Sequence, residues 1–87
     1  MSIWKINIYG NEDSQDELCC TVVVRGDNYK DAEQLAEKVH VKNYPFLSKS
    51  PRAKSCGRAS PTEEQMLEEG ENISWITFVL HESNDEA

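Results

Sequence analysis

The side chains that could bind a metal or act as nucleophiles are few, and their spacing favours neither task. The cysteines are Cys19, Cys20 and Cys56, and the histidines are His40 and His81. Zinc sites usually show C-x-x-C pairs or closely spaced histidine pairs, and neither pattern occurs in this sequence. We therefore predict reduced, structural thiols, with no metal and no cofactor.

No group of residues in the sequence is typical of an active site. Cys56 stands beside cationic residues, which can raise the reactivity of a thiol, but a nucleophile also needs a base and an orienting group. His40 is predicted to end an amphipathic helix, where a positive charge suits the helix dipole. His81 is predicted to lie at the surface, and no GxSxG motif occurs. The sequence thus predicts no catalytic residue and a protein that is not an enzyme.

A basic island interrupts an acidic chain. Residues 49–58 contain no acid and four bases, namely Lys49, Arg52, Lys54 and Arg58. Residues 59–87 contain eight acids and no base, and the net charge is −7. Basic side chains in a loop suit contacts with phosphates, but four charges on so acidic a chain favour only weak polyanion binding. A small nucleic-acid-binding regulator that uses this island is therefore the alternative hypothesis.

The acidic block after the island is the preferred binding surface. Its glutamates at positions 64 and 68 are four residues apart, and like charges at that spacing destabilise a helix unless water or a basic partner relieves them. We predict contact with a protein that has a basic surface. The predicted protein-binding residues are Glu63, Glu64, Glu68, Glu69 and Trp75, with the tryptophan as an apolar anchor.

Periodicity and capping signals predict the elements that carry these residues. Alternation and β-branched content predict strands, Asn28 and the Ser60–Glu63 capping box predict helix starts, and Pro45 limits the first helix. The predicted elements are strands at 2–9, 18–25 and 73–81, a long helix from 28 to about 42 or 43, and a short helix over about 61–69. This β-β-α-α-β order predicts an α+β fold with a three-stranded antiparallel sheet, the first strand being central.

The domain prediction is a single α+β domain over 1–82, with 44–60 as a long basic loop and 83–87 as an acidic disordered tail. One long helix covers only one face of the sheet. The second face is expected to include Trp75. Three alternatives could cover it: the chain's own short helix or the 44–50 segment, a second copy of the chain, or a different protein. A homodimer through the Trp75 face is the second of these.

The first residues, MSIWKINIYG, lack the apolar run of a signal peptide, and no segment has the length and hydropathy of a membrane span. The sequence therefore predicts a cytoplasmic protein that does not enter a membrane.

In size, acidity and layout the chain resembles the short accessory proteins of phages and mobile elements, including anti-CRISPR and anti-restriction inhibitors. The resemblance covers the N-terminal hairpin, the single amphipathic helix and the acidic remainder, and no family residue can be carried over. It implies a non-enzymatic inhibitor that occupies a basic nucleic-acid-binding surface of a host defence nuclease complex. For a phage-encoded chain, the host cytoplasm would be the location.

Overall fold

A computed structural model describes residues 2–10, 17–44 and 51–78, and it contains two helices and an antiparallel sheet. The elements are β1 (Ser2–Tyr9), β2 (Leu18–Gly26), α1 (Tyr29–Asn43), β3 (Arg52–Arg58), α2 (Pro61–Glu64) and β4 (Ile73–Phe78). The predicted α+β class is confirmed. Lys49, His81 and the predicted tail at 83–87 lie outside the described residues.

The sheet has four strands in the order β3-β1-β2-β4, and every neighbouring pair is antiparallel. The predicted three-stranded sheet is therefore wrong. The predicted order is also wrong, since β4 pairs with β2 and not with β1. The physical reason is that β2 is buried at every position from 19 to 24, which is typical of an interior strand of a sheet that is covered on both faces. β1 is central as well, between β2 and β3.

The additional strand, β3, comes from the basic island, which the sequence predicted to be part of the 44–60 loop. Its exposed cations alternate with smaller residues, and Ala53 is buried against the core. Charged outward side chains are typical of edge strands, where they discourage pairing with other chains. A segment without β-branched residues nevertheless joins the sheet, because its small side chains fit beneath α1.

Helix α1 begins where the sequence predicted, because the Asn28 side chain accepts a hydrogen bond from the Asp31 backbone N–H at 2.9 Å. Its fully buried positions are Ala32, Ala36 and His40, four residues apart along one stripe. The two alanines let the helix axis approach the sheet closely. His40 lies in the last turn of α1, as predicted. Its ring is fully buried, however, and burial disfavours the positive charge expected there.

Two apolar clusters lie on the two faces of the sheet. The larger one, beneath α1, contains buried Ile6, Ile8, Cys19, Cys20, Val22, Val24, Ala32, Ala36 and Ala53. The smaller one, on the second face, contains Val23, Ala59 and Leu67, with Ile3 and Ile76 packed against it. Of the three predicted covers, the chain's own segment around the short helix is the one that packs on this smaller cluster.

Trp75 packs against the larger cluster, on the side of α1. The prediction that it lies on the second face is wrong, and with it the basis for a homodimer through a Trp75 face. Trp75 stands directly opposite Val22, a member of that cluster, and opposed residues of neighbouring strands point to the same face. Alternation in the sequence shows that Ile73 and Trp75 share a face, but it does not show which face α1 covers.

Candidate functional site

The predicted acidic surface lies on the segment between β3 and β4, which we call the acidic cap (residues 59–71). The predicted capping box is present: the Ser60 N–H donates to Glu63 Oε1 at 2.9 Å, and the Glu63 N–H donates to Ser60 Oγ at 3.2 Å. Helix α2 ends at Glu64, however, instead of continuing to about residue 69. Glu64 and Glu68 therefore do not share the face of one continuous helix.

Glu63 is held by contacts within the chain. Its Oε2 atom lies 3.0 Å from Lys5 Nζ, in addition to its place in the capping box. The Ser60 backbone N–H, and then the Lys5 ammonium, keep the pKa of the Glu63 carboxyl below its ordinary value. The hydrogen bond and the charge of Glu63 in turn raise the pKa of Lys5. Glu63 thus fastens the acidic cap to β1.

The other three predicted glutamates, Glu64, Glu68 and Glu69, are exposed. Met66 lies between them in sequence with 46% of its surface exposed, whereas the adjacent Leu67 is buried at 8%. The cap therefore turns one apolar side chain inward and presents another to solvent among carboxylates. Met66 is thus the exposed large apolar side chain of this surface, whereas Trp75, the predicted apolar anchor, packs against the larger cluster beneath α1.

The predicted nucleic-acid-binding cations in the described part of the chain lie on different faces of the sheet. Arg52 and Lys54 are exposed on β3 and stand opposite Tyr9 and Asn7 of β1. Arg58 stands opposite Trp4, with its guanidinium carbon 5.6 Å from a Trp4 ring centroid. A register shift between Trp4 and Ile6 separates the two parts of β3. Arg58 therefore faces the α1 side, and the other two cations face the opposite side.

The structure assembles a cluster that the sequence did not predict, formed by Cys19, Cys20 and His40. Cys19 Sγ lies 3.8 Å from His40 Nε2, and Cys20 Sγ lies 3.7 Å from His40 Nδ1. One potential ligand atom from each residue lies within 4.8 Å of the other two. The residues are 5%, 0% and 0% exposed, respectively. We call this group the thiol–imidazole cluster.

A β-bulge explains how two adjacent cysteines reach the same histidine. Cys20 pairs with Ile8 and Leu18 pairs with Tyr9, which leaves Cys19 as the extra residue of β2. In a regular strand neighbouring side chains point to opposite faces, so only one sulfur would face α1. The bulge lets both sulfurs reach the ring on α1. Bulges of this kind re-aim side chains and are frequent near functional sites.

The cluster is uncharged in the protein as it stands. Burial, and then the neighbouring Cys19, raise the pKa of Cys20 to about 12, while the Trp75 indole acts in the opposite direction. Burial also raises the pKa of the Cys19 thiol and lowers the pKa of the His40 imidazole. Both thiols are therefore protonated and the imidazole is neutral near pH 7, where this apolar site disfavours any single charge.

Two aromatic rings enclose the cluster. The Tyr44 ring lies 5.7 Å from the His40 ring and meets Trp75 edge to face at 5.4 Å, both measured between centroids. The Trp75 Nε1 atom is buried and has no hydrogen-bond acceptor within range among the described residues. A buried indole N–H normally finds a partner. The Trp75 indole lowers the pKa of the nearby Cys20 thiol and so favours the thiolate. Cys20 Sγ is therefore the acceptor to which this N–H would donate.

Sequence reasoning missed the cluster because it searched for standard ligand spacings. The available signal was weaker: His40 follows Ala32 and Ala36 at intervals of four, which places it on the buried stripe of α1. Cys56, by contrast, is exposed on β3. Within the described ranges the grouping of potential ligands does not extend to it.

Comparisons with protein-family models, with curated proteins and with solved structures find no match for this chain. Among the described residues, none of the helices has the length and hydropathy needed to cross a membrane.

Proposed function

We propose that this chain is a non-enzymatic protein-interaction module whose acidic cap binds a basic surface of another protein. The observation that carries the proposal is the exposure of Glu64, Glu68 and Glu69 around Met66, in a C-terminal third without any base. Complementary charge steers and orients such an encounter, and an apolar side chain near its centre adds affinity.

The anchoring of the cap supports this role. Leu67 and Ala59 pack on Val23, and the Lys5–Glu63 pair and the capping box fix the start of the segment. The three exposed glutamates are thus presented from an ordered base. A surface that is ordered before binding loses less conformational entropy when the partner docks, so more of the contact energy appears as affinity.

The finer proposal concerns the partner: a nucleic-acid-binding surface of a defence nuclease complex, which the cap would block. Proteins that hold nucleic acid concentrate lysine and arginine in grooves that neutralise phosphates. Carboxylates on a small acidic protein can occupy such a groove in place of phosphates. The chain would then act as an inhibitor that competes with nucleic acid.

The test compares two variants that lose the same amount of charge. In the cap variant Glu64, Glu68 and Glu69 become glutamine, and in the control variant Glu12, Asp13 and Asp16 become their amides. The partner is isolated from the native cell with the wild-type chain, identified by mass spectrometry, purified, and titrated with all three proteins. We expect the cap variant to bind about 3- to 150-fold more weakly, at about 0.2–1 kcal/mol for each exposed ion pair.

The salt dependence of binding gives a second measurement. The wild-type dissociation constant should rise with ionic strength, and the cap variant should show a smaller slope than the control variant. Equal affinities and equal slopes for the cap and control variants would refute the proposal. The inhibitor role additionally requires that the wild-type chain displaces nucleic acid from the purified partner.

The alternative function is a small nucleic-acid-binding regulator that uses Lys49, Arg52, Lys54 and Arg58. The observation in its favour is that Arg52 and Lys54 are exposed on the same face of an ordered edge strand. A gel-shift assay at low salt tests it directly. This alternative requires binding to DNA or RNA that falls when Arg52 and Lys54 are changed to glutamine, and it fails if the wild-type chain binds neither.

A further inference from the structure

We propose that Cys19, Cys20 and His40 form a buried three-coordinate site for a soft metal ion, Cu(I). This inference is independent of the acidic cap and of any partner that the cap binds. It rests on three features of the thiol–imidazole cluster: the donor types, the distances between the donors, and the bulge that brings both sulfurs to one side of the sheet.

Each sulfur lies at the distance from a ring nitrogen that a trigonal site requires. Metal–ligand bonds of about 2.3 Å to sulfur and about 2.0 Å to imidazole nitrogen place the sulfur and nitrogen about 3.7 Å apart in trigonal geometry. The two observed sulfur–nitrogen distances are 3.8 Å for Cys19 and 3.7 Å for Cys20. They involve different ring nitrogens, so a bound ion requires that the His40 ring rotate until one nitrogen faces both sulfurs.

Among the described residues, the number of available ligands favours Cu(I) over Zn²⁺. Thiolate ligands select both ions, but structural zinc sites are almost always four-coordinate. The grouping of ligands among the described residues contains three members. Cys20 and His40 are fully buried, so a water molecule as the fourth ligand would have to enter an apolar site. A monovalent d¹⁰ ion is satisfied by two thiolates and one imidazole.

Binding exchanges protons for the metal without any change of oxidation state. Two S–H bonds are lost, two Cu–S bonds and one Cu–N bond form, and two protons leave to solvent. The completed site carries one net negative charge on its thiolates. The buried Trp75 N–H makes no hydrogen bond among the described residues, but it lies near enough to Cys20 to favour its thiolate. Once Cys20 is a metal-bound thiolate, a donation from this N–H to Cys20 Sγ would stabilise that charge.

The experiment uses the full chain carrying Cys56→Ser, so that Cys19 and Cys20 are the only sulfurs from cysteine. The reduced protein is titrated with Cu(I) under anaerobic conditions, in competition with a chromophoric Cu(I) chelator. We expect one Cu(I) per chain. X-ray absorption of the complex should show two sulfur neighbours near about 2.3 Å and one nitrogen near about 2.0 Å.

Two further variants test individual roles in the same background. Replacing Trp75 by phenylalanine should weaken Cu(I) binding about 10- to 100-fold, as expected for the loss of an outer hydrogen bond to a ligand. Cys19→Ser removes a direct ligand and should weaken it by more than about 100-fold. Circular dichroism reports whether each variant keeps its fold, and the X-ray absorption of the Cys56→Ser protein does not depend on either variant.

Four results would overturn the proposal. They are loss of Cu(I) binding in the Cys56→Ser protein, fewer than two sulfur neighbours, a copper ion shared between two chains as judged by light scattering, and tighter binding of Zn²⁺ than of Cu(I) in a parallel titration.

Discussion

At the scale of single residues, Glu63 is the group whose ionisation is tied to the fold. Its carboxylate accepts from the Ser60 N–H and pairs with Lys5. Because its pKa is lower in the folded chain than its ordinary value of 4.5, its contribution to stability is complete above that value. The contribution is lost as the pH falls below 4.5 through the folded pKa.

This predicts the behaviour of Glu63→Gln. The free energy of unfolding of the wild-type chain should fall more steeply than that of the variant between about pH 6 and pH 3, since only the wild type must protonate a stabilised carboxylate. Urea denaturation at a series of pH values measures this. Glu64→Gln is the control, because Glu64 is an exposed neighbour outside the capping box. Parallel curves for Glu63→Gln and the wild type would contradict the prediction.

Single residues also mark where sequence reasoning ends. Asn28, Ser60 and Glu63 were predicted as capping residues, because capping depends on side chains within three positions of one another. The neighbourhood of His40 was not predicted, because it depends on a bulge in β2 that lies about twenty positions away in the chain. Sequence rules predict contacts between residues that are close in the chain, such as helix caps. They do not predict contacts that depend on the pairing of distant strands.

At the scale of elements, α1 protects the outer edge of β3. The Ala53 N–H donates to Glu37 Oε2 at 2.8 Å, and the Ser55 N–H donates to Glu33 Oε2 at 2.7 Å. Unpaired strand edges invite pairing with other chains, so proteins usually cover or charge them. Here two helix carboxylates take the place of a fifth strand for these N–H groups.

We therefore expect Glu33→Ala with Glu37→Ala to destabilise the fold by about 1–3 kcal/mol in total, since each hydrogen bond to a charged group contributes about 1.5–3 kcal/mol when buried and less when partly exposed. Hydrogen exchange of the Ala53 and Ser55 amides should accelerate in this variant. Gln34→Ala on the exposed side of α1 is the matched control. Unchanged exchange at both amides would show that the carboxylates do not protect the edge.

Strand β3 also shows why the sequence does not predict every element of the fold. Residues 52–58 contain three charged residues, one serine and no β-branched residue, so propensity gives no strand signal. What makes them a strand is the free edge of β1 and the acceptors on α1, and both exist only in the folded chain. The neighbouring β1 and β2 were predicted correctly because their signals are contained in the strands themselves: alternation in β1 and a run of β-branched and apolar residues in β2.

At the scale of the whole molecule, the acidic cap joins fold and proposed function. It closes the second face of the sheet through Leu67 and Ala59, and it carries the exposed glutamates of the proposed binding surface. The segment that is proposed to contact the partner is thus also the segment that covers this face of the sheet. The stability of the protein and the presentation of its charges depend on the same few apolar contacts.

Two adjacent side chains of the cap separate these roles. Leu67 is 8% exposed and packs on Val23, whereas Met66 is 46% exposed. Leu67→Ala should destabilise the fold by about 2–5 kcal/mol, through lost burial and the cavity left behind, whereas Met66→Ala should change stability by no more than about 0.5 kcal/mol. Thermal and urea denaturation give both values. Similar losses in the two variants would mean that the cap does not cover the sheet in this way.

Leu67→Ala should also change the state of association, because it loosens the cover over Ile3, Val23 and Ile76. A bare apolar sheet face is an unusual surface for a monomer and favours packing against a second copy. Light scattering at increasing concentration should therefore show a rise in mass for Leu67→Ala but not for Met66→Ala. Met66→Ala should instead weaken partner binding while leaving stability in place. If Met66→Ala raised the mass and Leu67→Ala alone weakened partner binding, Met66 would not belong to the proposed interface.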